Sequence, residues 1–131
     1  MSKNIIYFQD GERIIEAGGT ETRMFIILEG EVQISLSDKI NKIVVANLKK
    51  GDFFGEISLF TDAPRSATAT AIGNVKLAFI DNAEQLGEYL IRNPVFAAKM
   101  VNVLAQRLAK TDEILVGKIS ELNRVKIIRD V

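Results

Sequence analysis

The sequence of 131 residues contains no cysteine and no histidine. Without cysteine, the chain forms no disulfide, zinc–thiolate site or iron–sulfur cluster, and it has no thiol nucleophile. Without histidine, it lacks the commonest metal ligand, the usual haem ligand and the usual general base. These absences exclude hydrolases with a Ser-His-Asp triad, haem sensors with a histidine ligand and metal enzymes on cupin-like barrels. We therefore predict neither a catalytic residue nor a metal ligand, and no cofactor.

The sequence also lacks an excess of either charge and any long hydrophobic run. Its 17 basic and 17 acidic residues cancel, whereas nonspecific binding to nucleic acid or to an anionic membrane requires excess positive charge. The longest apolar run, Met24 to Leu28, is too short to cross a bilayer, and the N-terminal segment is too short for a secretory signal. We expect a cytoplasmic protein that binds neither membranes nor, directly, DNA.

Short apolar runs separated by glycine-containing turns occupy the chain up to about residue 81. In one of them, Val32, Ile34 and Leu36 alternate with polar residues, as in a half-buried strand. Several such runs at regular spacing predict a small β-barrel or sandwich. The runs are Arg13 to Ile15, Met24 to Leu28, Val32 to Leu36, Ile43 to Leu48, Ala67 to Ala71 and Val75 to Ile80.

Helical patterns replace the strand patterns from about residue 82 onward. Asp81 or Asn82 is placed to cap a first helix, and Asn93-Pro94 reads as an N-cap followed by proline at the first helical position. An apolar stripe then follows at helical spacing: Met100, Leu104, Leu108, Thr111, Leu115, Ile119 and Leu122.

The first half of this stripe fits packing either on the chain's own barrel or on a partner. A helix from Pro94 to Val131 would be about 57 Å long at about 1.5 Å per residue, which exceeds the body of a domain of this size. We therefore expect its distal half to pair in a homodimer, with Gly117 as a point where the helix bends or ends.

The segment from Gly51 to Ala71 carries the chemistry. Gly55 permits a sharp turn or close approach of a ligand, and the residues after it are long enough for one helical turn. The start of such a turn presents unpaired N–H groups that suit an anion. Arg65 stands at the entry to an apolar strand, where an unpaired guanidinium is costly. Its anionic partner is either Glu56 or Asp62, in a salt bridge that braces the loop, or the phosphate of a ligand.

Two short stretches in this segment resemble a known motif. The stretch Phe54-Gly55-Glu56-Ile57-Ser58-Leu59, followed after a gap by Arg65-Ser66-Ala67-Thr68, resembles the phosphate-binding cassette of cyclic nucleotide-binding domains. That family includes the effector domains of catabolite activator proteins and of kinase regulatory subunits. The resemblance extends upstream through Met24 to Val32 and covers roughly residues 5 to 116.

The resemblance implies a fold and a domain layout. The fold would be a jelly-roll barrel (a double-stranded β-helix) over about residues 1–81, followed by C-terminal helices. The cyclic nucleotide-binding domain would then span residues 1–116, and residues 117–131 would extend the long helix.

The resemblance also implies a role for each cassette residue. Arg65 would neutralise the cyclic phosphate, and Glu56, helped by the Gly55 backbone, would accept the ribose 2′-hydroxyl. The backbone N–H groups of Ile57, Ser58 and Ala67 would bond the phosphate oxygens, and Ser66 would contribute its N–H or hydroxyl. The function implied is that of a regulatory module that binds a cyclic nucleotide and relays occupancy through the helices to a downstream protein partner.

The residues expected around the base leave cyclic AMP and cyclic GMP open. Arg107 and Thr111 match helix positions that touch the ligand in the family, whereas Asp112 and Ala46 replace serines found there. Asp112 suits the paired N–H donors of guanine. Serine at position 66, directly after Arg65, resembles the adenine-binding activator protein at the matching position. We favour cyclic AMP, with a cyclic GMP-selective module or a ligand-free interaction domain of the same fold as alternatives.

Overall fold

The structure is a computed structural model that describes residues 4–37 and 40–110. It divides into two compact units, one up to Glu88 and one from Tyr89 onward. The elements in chain order are β1 (Ile5–Phe8), β2 (Arg13–Ile15), β3 (Met24–Ser37), β4 (Lys42–Lys49), β5 (Phe53–Phe54), α1 (Glu56–Thr61), β6 (Thr68–Ile80) and α2 (Ala83–Arg92).

The six strands form one sheet in which every pairing is antiparallel, in the order β1-β6-β3-β4. The two long strands, β3 and β6, lie side by side, and the short strands β5 and β2 attach to β3 and β6 respectively. The prediction of a mainly β protein with helices after the strands is therefore confirmed.

Gly30 does not end a strand, although the sequence indicates a turn there. Strand β3 continues through Gly30, and its register against β6 shifts between Glu29 and Glu31. Gly30 has a φ of 95°, and a Cβ atom at this position would lie 2.5 Å from the carbonyl oxygen of Asn74. Glycine therefore permits a bulge that bends one long strand, where we expected two strands joined by a turn.

The alternating pattern predicted from Val32 to Leu36 holds only in part. Val32 is fully buried, as predicted, but Leu36 is 43% exposed and Ser35 is 4% exposed. The pairing of β3 with β4 shifts register between Ile34 and Ser35. The extra residue is Val45 of β4, which the register skips, and the predicted inward position of Leu36 is wrong.

The two long strands contribute side chains to the core of the first unit. Ile27 of β3 is paired with Leu77 of β6, and Val32 is paired with Ala71. All four of these side chains are at most 2% exposed. Beside them, the rings of Phe25 and Phe54 stack with centroids 5.3 Å apart. This packing fixes β5, and therefore the residue after it, Gly55, against the sheet.

Asn82 caps α2 as predicted, because its Oδ1 accepts the N–H of Gln85 at 2.9 Å. In the second unit, residues 94–110 are helical from Pro94 as predicted. The side chain of Asn93, however, donates to the carbonyl of Tyr89 at 2.8 Å, so it bonds back to the end of α2. The distal half of the predicted stripe, Gly117 and the 117–131 extension lie outside the described residues.

Candidate functional site

Gly55 joins β5 to α1 in a conformation that other residues rarely adopt. Its φ is 86°, in the left-handed region. A Cβ atom at this position would lie 2.9 Å from Nη1 of Arg65 and 3.1 Å from the carbonyl oxygen of Arg23. Glycine is therefore required both for the turn into α1 and for the close approach of Arg65 to the backbone.

Arg65 is the buried cation of the site, with a residue exposure of 6%. Its Nη1 donates to the carbonyl of Gly55 at 2.9 Å, and its Nη2 donates to the carbonyl of Arg23. Its Nε is buried and has no hydrogen-bond partner in the structure. Two donors thus hold the guanidinium in place, and a third is left for a further acceptor.

The backbone of Arg65 is anchored as firmly as its side chain. Its N–H donates to the carbonyl of Gly19 at 2.8 Å, and its carbonyl accepts the N–H of Gly18 at 2.7 Å. Three residues further along, at the start of β6, the Oγ1 of Thr68 accepts the N–H of Ala17 at 3.1 Å. The segment that enters β6 is therefore pinned to the turn that follows β2, and the position of Arg65 is set by two chain segments.

The electrostatic environment of Arg65 favours an anion. Burial lowers the pKa of the Arg65 guanidinium, while the charges of Glu21 and Glu56 act in the opposite direction. A guanidinium stays protonated in proteins, so its burial has to be offset by opposite charge and hydrogen bonds. The unpartnered Nε gives such a charge a direction from which to bind.

The residues predicted at the start of α1 differ in their burial, and Glu56 acts on the charge of Arg65. Glu56 and Ser58 are buried, at 7% and 3% exposure, whereas Ile57 is 63% exposed. The Ser58 hydroxyl donates to the carbonyl of Ala63 at 2.8 Å and so helps to close the loop after α1. The structure therefore brings Gly55 and Glu56 to the guanidinium, whereas the predicted roles of Ile57 and Ser58 stay predictions.

The remaining predicted residues are placed less completely. Ser66 is exposed and Ala67 is half-buried, directly after Arg65. Arg107 lies on the helix of residues 94–110, in the second unit, where it is exposed. Thr111 and Asp112 lie outside the described residues, so their predicted contacts with the base stay predictions.

Sequence reasoning missed two contributors to the site. Arg23 acts on Arg65 through its main-chain carbonyl, and Glu21 acts through its charge. A main-chain carbonyl is present at every position, so residue type gives no signal for it. The backbone bonds of Gly18 and Gly19 to Arg65 depend on the assembled sheet and carry no signal in residue type.

The model of one protein family, the cyclic nucleotide-binding domain, matches residues 5–92 and so includes every strand, α1 and Arg65. The chain belongs to this family. The family is a regulatory, ligand-binding one rather than a catalytic one, and the resemblance seen in the cassette is confirmed.

The relatives of this cyclic nucleotide-binding domain include proteins of known name. The chain is 42% identical over 80 residues to a cAMP-dependent protein kinase regulatory subunit of Dictyostelium discoideum, covering 58% of this chain and 24% of the relative. It is 40% identical over 75 residues to the type II regulatory subunit of Drosophila melanogaster, covering 56% of this chain and 20% of the relative. The chain therefore spans about a quarter or less of the length of these relatives.

Solved structures support the fold of the family. The catabolite activator protein of Thermus thermophilus matches with a TM-score of 0.72 and 26% identity, covering 85% of this chain and 52% of that one. An EAL enzyme in its cAMP-bound form matches with a TM-score of 0.61 and 26% identity, covering 86% of this chain and 30% of that one. The predicted jelly-roll fold followed by helices is confirmed by these likenesses.

Two features are absent from residues 4–37 and 40–110. No helix in these ranges is both long enough and apolar enough to cross a membrane. The same ranges contain no group of three or more acidic, histidine or cysteine side chains placed to hold a metal ion.

Proposed function

We propose that this chain binds a cyclic nucleotide, with the cyclic phosphate held by Arg65. The observation that carries the proposal is the buried guanidinium whose Nη atoms are fixed by two carbonyls and whose Nε has no hydrogen-bond partner. A guanidinium binds phosphate oxygens through charge-assisted hydrogen bonds. Because its orientation is fixed before the ligand arrives, little conformational freedom is lost on binding.

The first residues of α1 complete the proposed contacts. The N–H groups of Ile57, Ser58 and Ala67 would bond the phosphate oxygens, with Ser66 contributing its N–H or hydroxyl. Glu56, which is 7% exposed and close enough to act on the charge of Arg65, would accept the ribose 2′-hydroxyl beside Gly55. A 2′-deoxy nucleotide would leave this carboxylate without that donor.

We propose cyclic AMP as the preferred ligand. The two kinase regulatory subunits described above are named for dependence on cAMP. Ser66 is intermediate between the residues associated with guanine and with adenine, and serine at this position resembles the adenine-binding activator protein. Cyclic GMP is the alternative, because a carboxylate at Asp112 would pair with the N1–H and N2–H₂ donors of guanine. A similar EAL enzyme has been solved in a cGMP-bound form.

The proposed module is a sensor rather than a catalyst. Nucleotide would favour one arrangement of the helices after the sheet, because it contacts Arg107, Thr111 or Asp112 only in that arrangement. Homodimerisation through the long helix belongs to the same proposal, and it is supported by Leu108, a residue of the predicted stripe that is 63% exposed. Light scattering with and without nucleotide distinguishes a dimeric sensor from a monomeric adaptor.

Calorimetry tests the ligand and the roles together. We expect the wild type to bind cAMP more tightly than cGMP, and 2′-deoxy-cAMP more weakly than cAMP. Glu56→Gln should reduce the preference for cAMP over its 2′-deoxy form by about tenfold or more, because a hydrogen bond to a charged group is worth about 1.5–3 kcal/mol. Asp112→Ser should shift the ratio toward cAMP if Asp112 reads guanine. No binding of any of the three nucleotides would overturn the proposal.

A further inference from the structure

Arg23 has two ends that reach different parts of the first unit. Its main-chain carbonyl accepts a hydrogen bond from Nη2 of Arg65. Its side-chain Nε donates to Oδ1 of Asp81 at 3.0 Å. One residue, directly before β3, therefore touches both the cassette guanidinium and the residue that follows β6.

The side chain of Arg23 is held by more than the ion pair. Its guanidinium carbon lies 4.1 Å from the centroid of the Phe79 ring, and its side chain is only 36% exposed. Stacking over an aromatic face and pairing with a carboxylate both favour one orientation of a planar guanidinium. The two contacts fix Arg23 in a direction that the ion pair alone would not impose.

Asp81 in turn meets the start of α2. Its N–H donates to Oε1 of Gln85 at 3.0 Å, while the N–H of Gln85 donates to Oδ1 of Asn82 at 2.9 Å. The N–H of Leu86 completes the first turn on the carbonyl of Asn82 at 3.1 Å. Such reciprocal bonds satisfy the free donors at a helix N-terminus, so the position of Asp81 bears on the stability of that turn.

We infer that Arg23 is a positioning residue that couples the Arg65 guanidinium to the first turn of α2. The chain of contacts runs from Arg65 to the carbonyl of Arg23, then through its side chain to Asp81 and on to Gln85. The coupling to nucleotide rests on the proposed function, whereas the coupling between Arg65 and α2 exists in the ligand-free protein. Nothing in the residue type of Arg23 marks it for this role, because one of its two contacts is made by the main chain.

The ligand-free test measures amide hydrogen exchange at Gln85 and Leu86 by NMR. We expect Arg65→Ala to speed exchange at both amides by about two- to fivefold, the range that a half-exposed ion pair supports. The same substitution should have no further effect in an Arg23→Met background, where the carbonyl and much of the ring contact stay but the charge is gone. Arg23→Lys, which keeps the charge, should restore part of the effect.

A matched control separates coupling from general loosening. Arg13 forms an exposed ion pair with Glu16, with its Nη1 atom 3.6 Å from Oε1 of the carboxylate, so Arg13→Met removes a comparable pair elsewhere on the sheet. It should leave the effect of Arg65→Ala on Gln85 and Leu86 unchanged. An effect of equal size in the Arg23→Met and Arg13→Met backgrounds, or no effect of Arg65→Ala at all, would overturn the inference.

Nucleotide then gives a second, separate readout. By linkage, Arg23→Met should weaken cAMP binding by the same factor by which it reduces nucleotide-dependent protection of α2. Loss of binding in the wild type would defeat the proposed function while the ligand-free measurement still decides the coupling. Normal binding with full protection of α2 in Arg23→Met would defeat the coupling alone.

Discussion

Replacing Arg65 by alanine tests the central contact of the site. The substitution removes the buried guanidinium, its two bonds to the carbonyls of Gly55 and Arg23, and the buried Nε. In the ligand-bound state, a phosphate would lose its charged partner in a water-poor setting. Truncating one member of such a pair costs about 2–5 kcal/mol, which corresponds to a dissociation constant about 30- to 4,000-fold larger.

The same substitution has two opposing effects on the stability of the folded protein. Two carbonyl acceptors lose their donors, at about 1–3 kcal/mol each if water does not replace them. Removal of a buried charge, whose pKa burial lowers, offsets part of that cost. We therefore expect Arg65→Ala to lose a modest amount of thermal stability and a large amount of affinity. Arg65→Lys keeps the charge without the planar fork, so its affinity should fall between those of the wild type and Arg65→Ala.

Calorimetric titration of cAMP into the wild type, Arg65→Ala and Arg65→Lys measures the loss, and circular dichroism melts establish that each variant is folded. Arg13→Ala, which removes an exposed arginine of β2, is the matched control and should bind as the wild type does. If folded Arg65→Ala bound cAMP with wild-type affinity, the phosphate would have to be held elsewhere and the anchoring role would be refuted.

Two further predictions concern backbone and burial. Gly55→Ala should destabilise the protein by about 1–3 kcal/mol through backbone strain, and it should also weaken cAMP binding. Gly11 has a similar φ of 84° but nothing within 4 Å of a Cβ, so Gly11→Ala should cause strain alone. Equal cAMP affinities of the two variants by calorimetry would contradict the close approach of Gly55 to Arg65. Burial raises the pKa of Tyr89 above its ordinary value of 10.0, so the folded state holds this proton more tightly, and the stability it contributes is lost as pH rises through that raised pKa. In a Tyr7→Phe variant, Tyr89 is the remaining tyrosine, and absorbance titration should give it a titration midpoint above that of the denatured chain. Tyr89→Phe should reduce the loss of stability at alkaline pH. A Tyr89 midpoint equal to that of the denatured chain would disprove the effect of burial.

The sequence was sufficient for the contacts that depend on residue type. Gly55 and Arg65 stand at motif positions, and the structure joins them at 2.9 Å. It was insufficient where an extra residue in a strand changes the register. The alternating pattern places Leu36 inward, but Leu36 is 43% exposed. The register of β3 against β4 shifts just before it, and a strictly alternating pattern contains no sign of that shift.

The contribution of Arg23 was beyond sequence reasoning for a different reason. Its carbonyl reaches Arg65 because β5 pairs with the start of β3 and so places Gly55 near Arg23, while the backbone of Arg65 bonds to the turn that follows β2. Contacts between residues so distant in the chain depend on the assembled sheet. The fold class and the cassette were therefore predictable, whereas the acceptors that orient the guanidinium were not.

Both acceptors that fix Arg65 are peptide carbonyls, and this has an evolutionary consequence. No point mutation at position 23 can delete its carbonyl, and carbonyls do not change charge between acidic and alkaline solution. The seat of the guanidinium is thus inherited with the path of the chain rather than with particular side chains. Descendant sequences are free to drift in what surrounds the base while keeping the same grip on an anion.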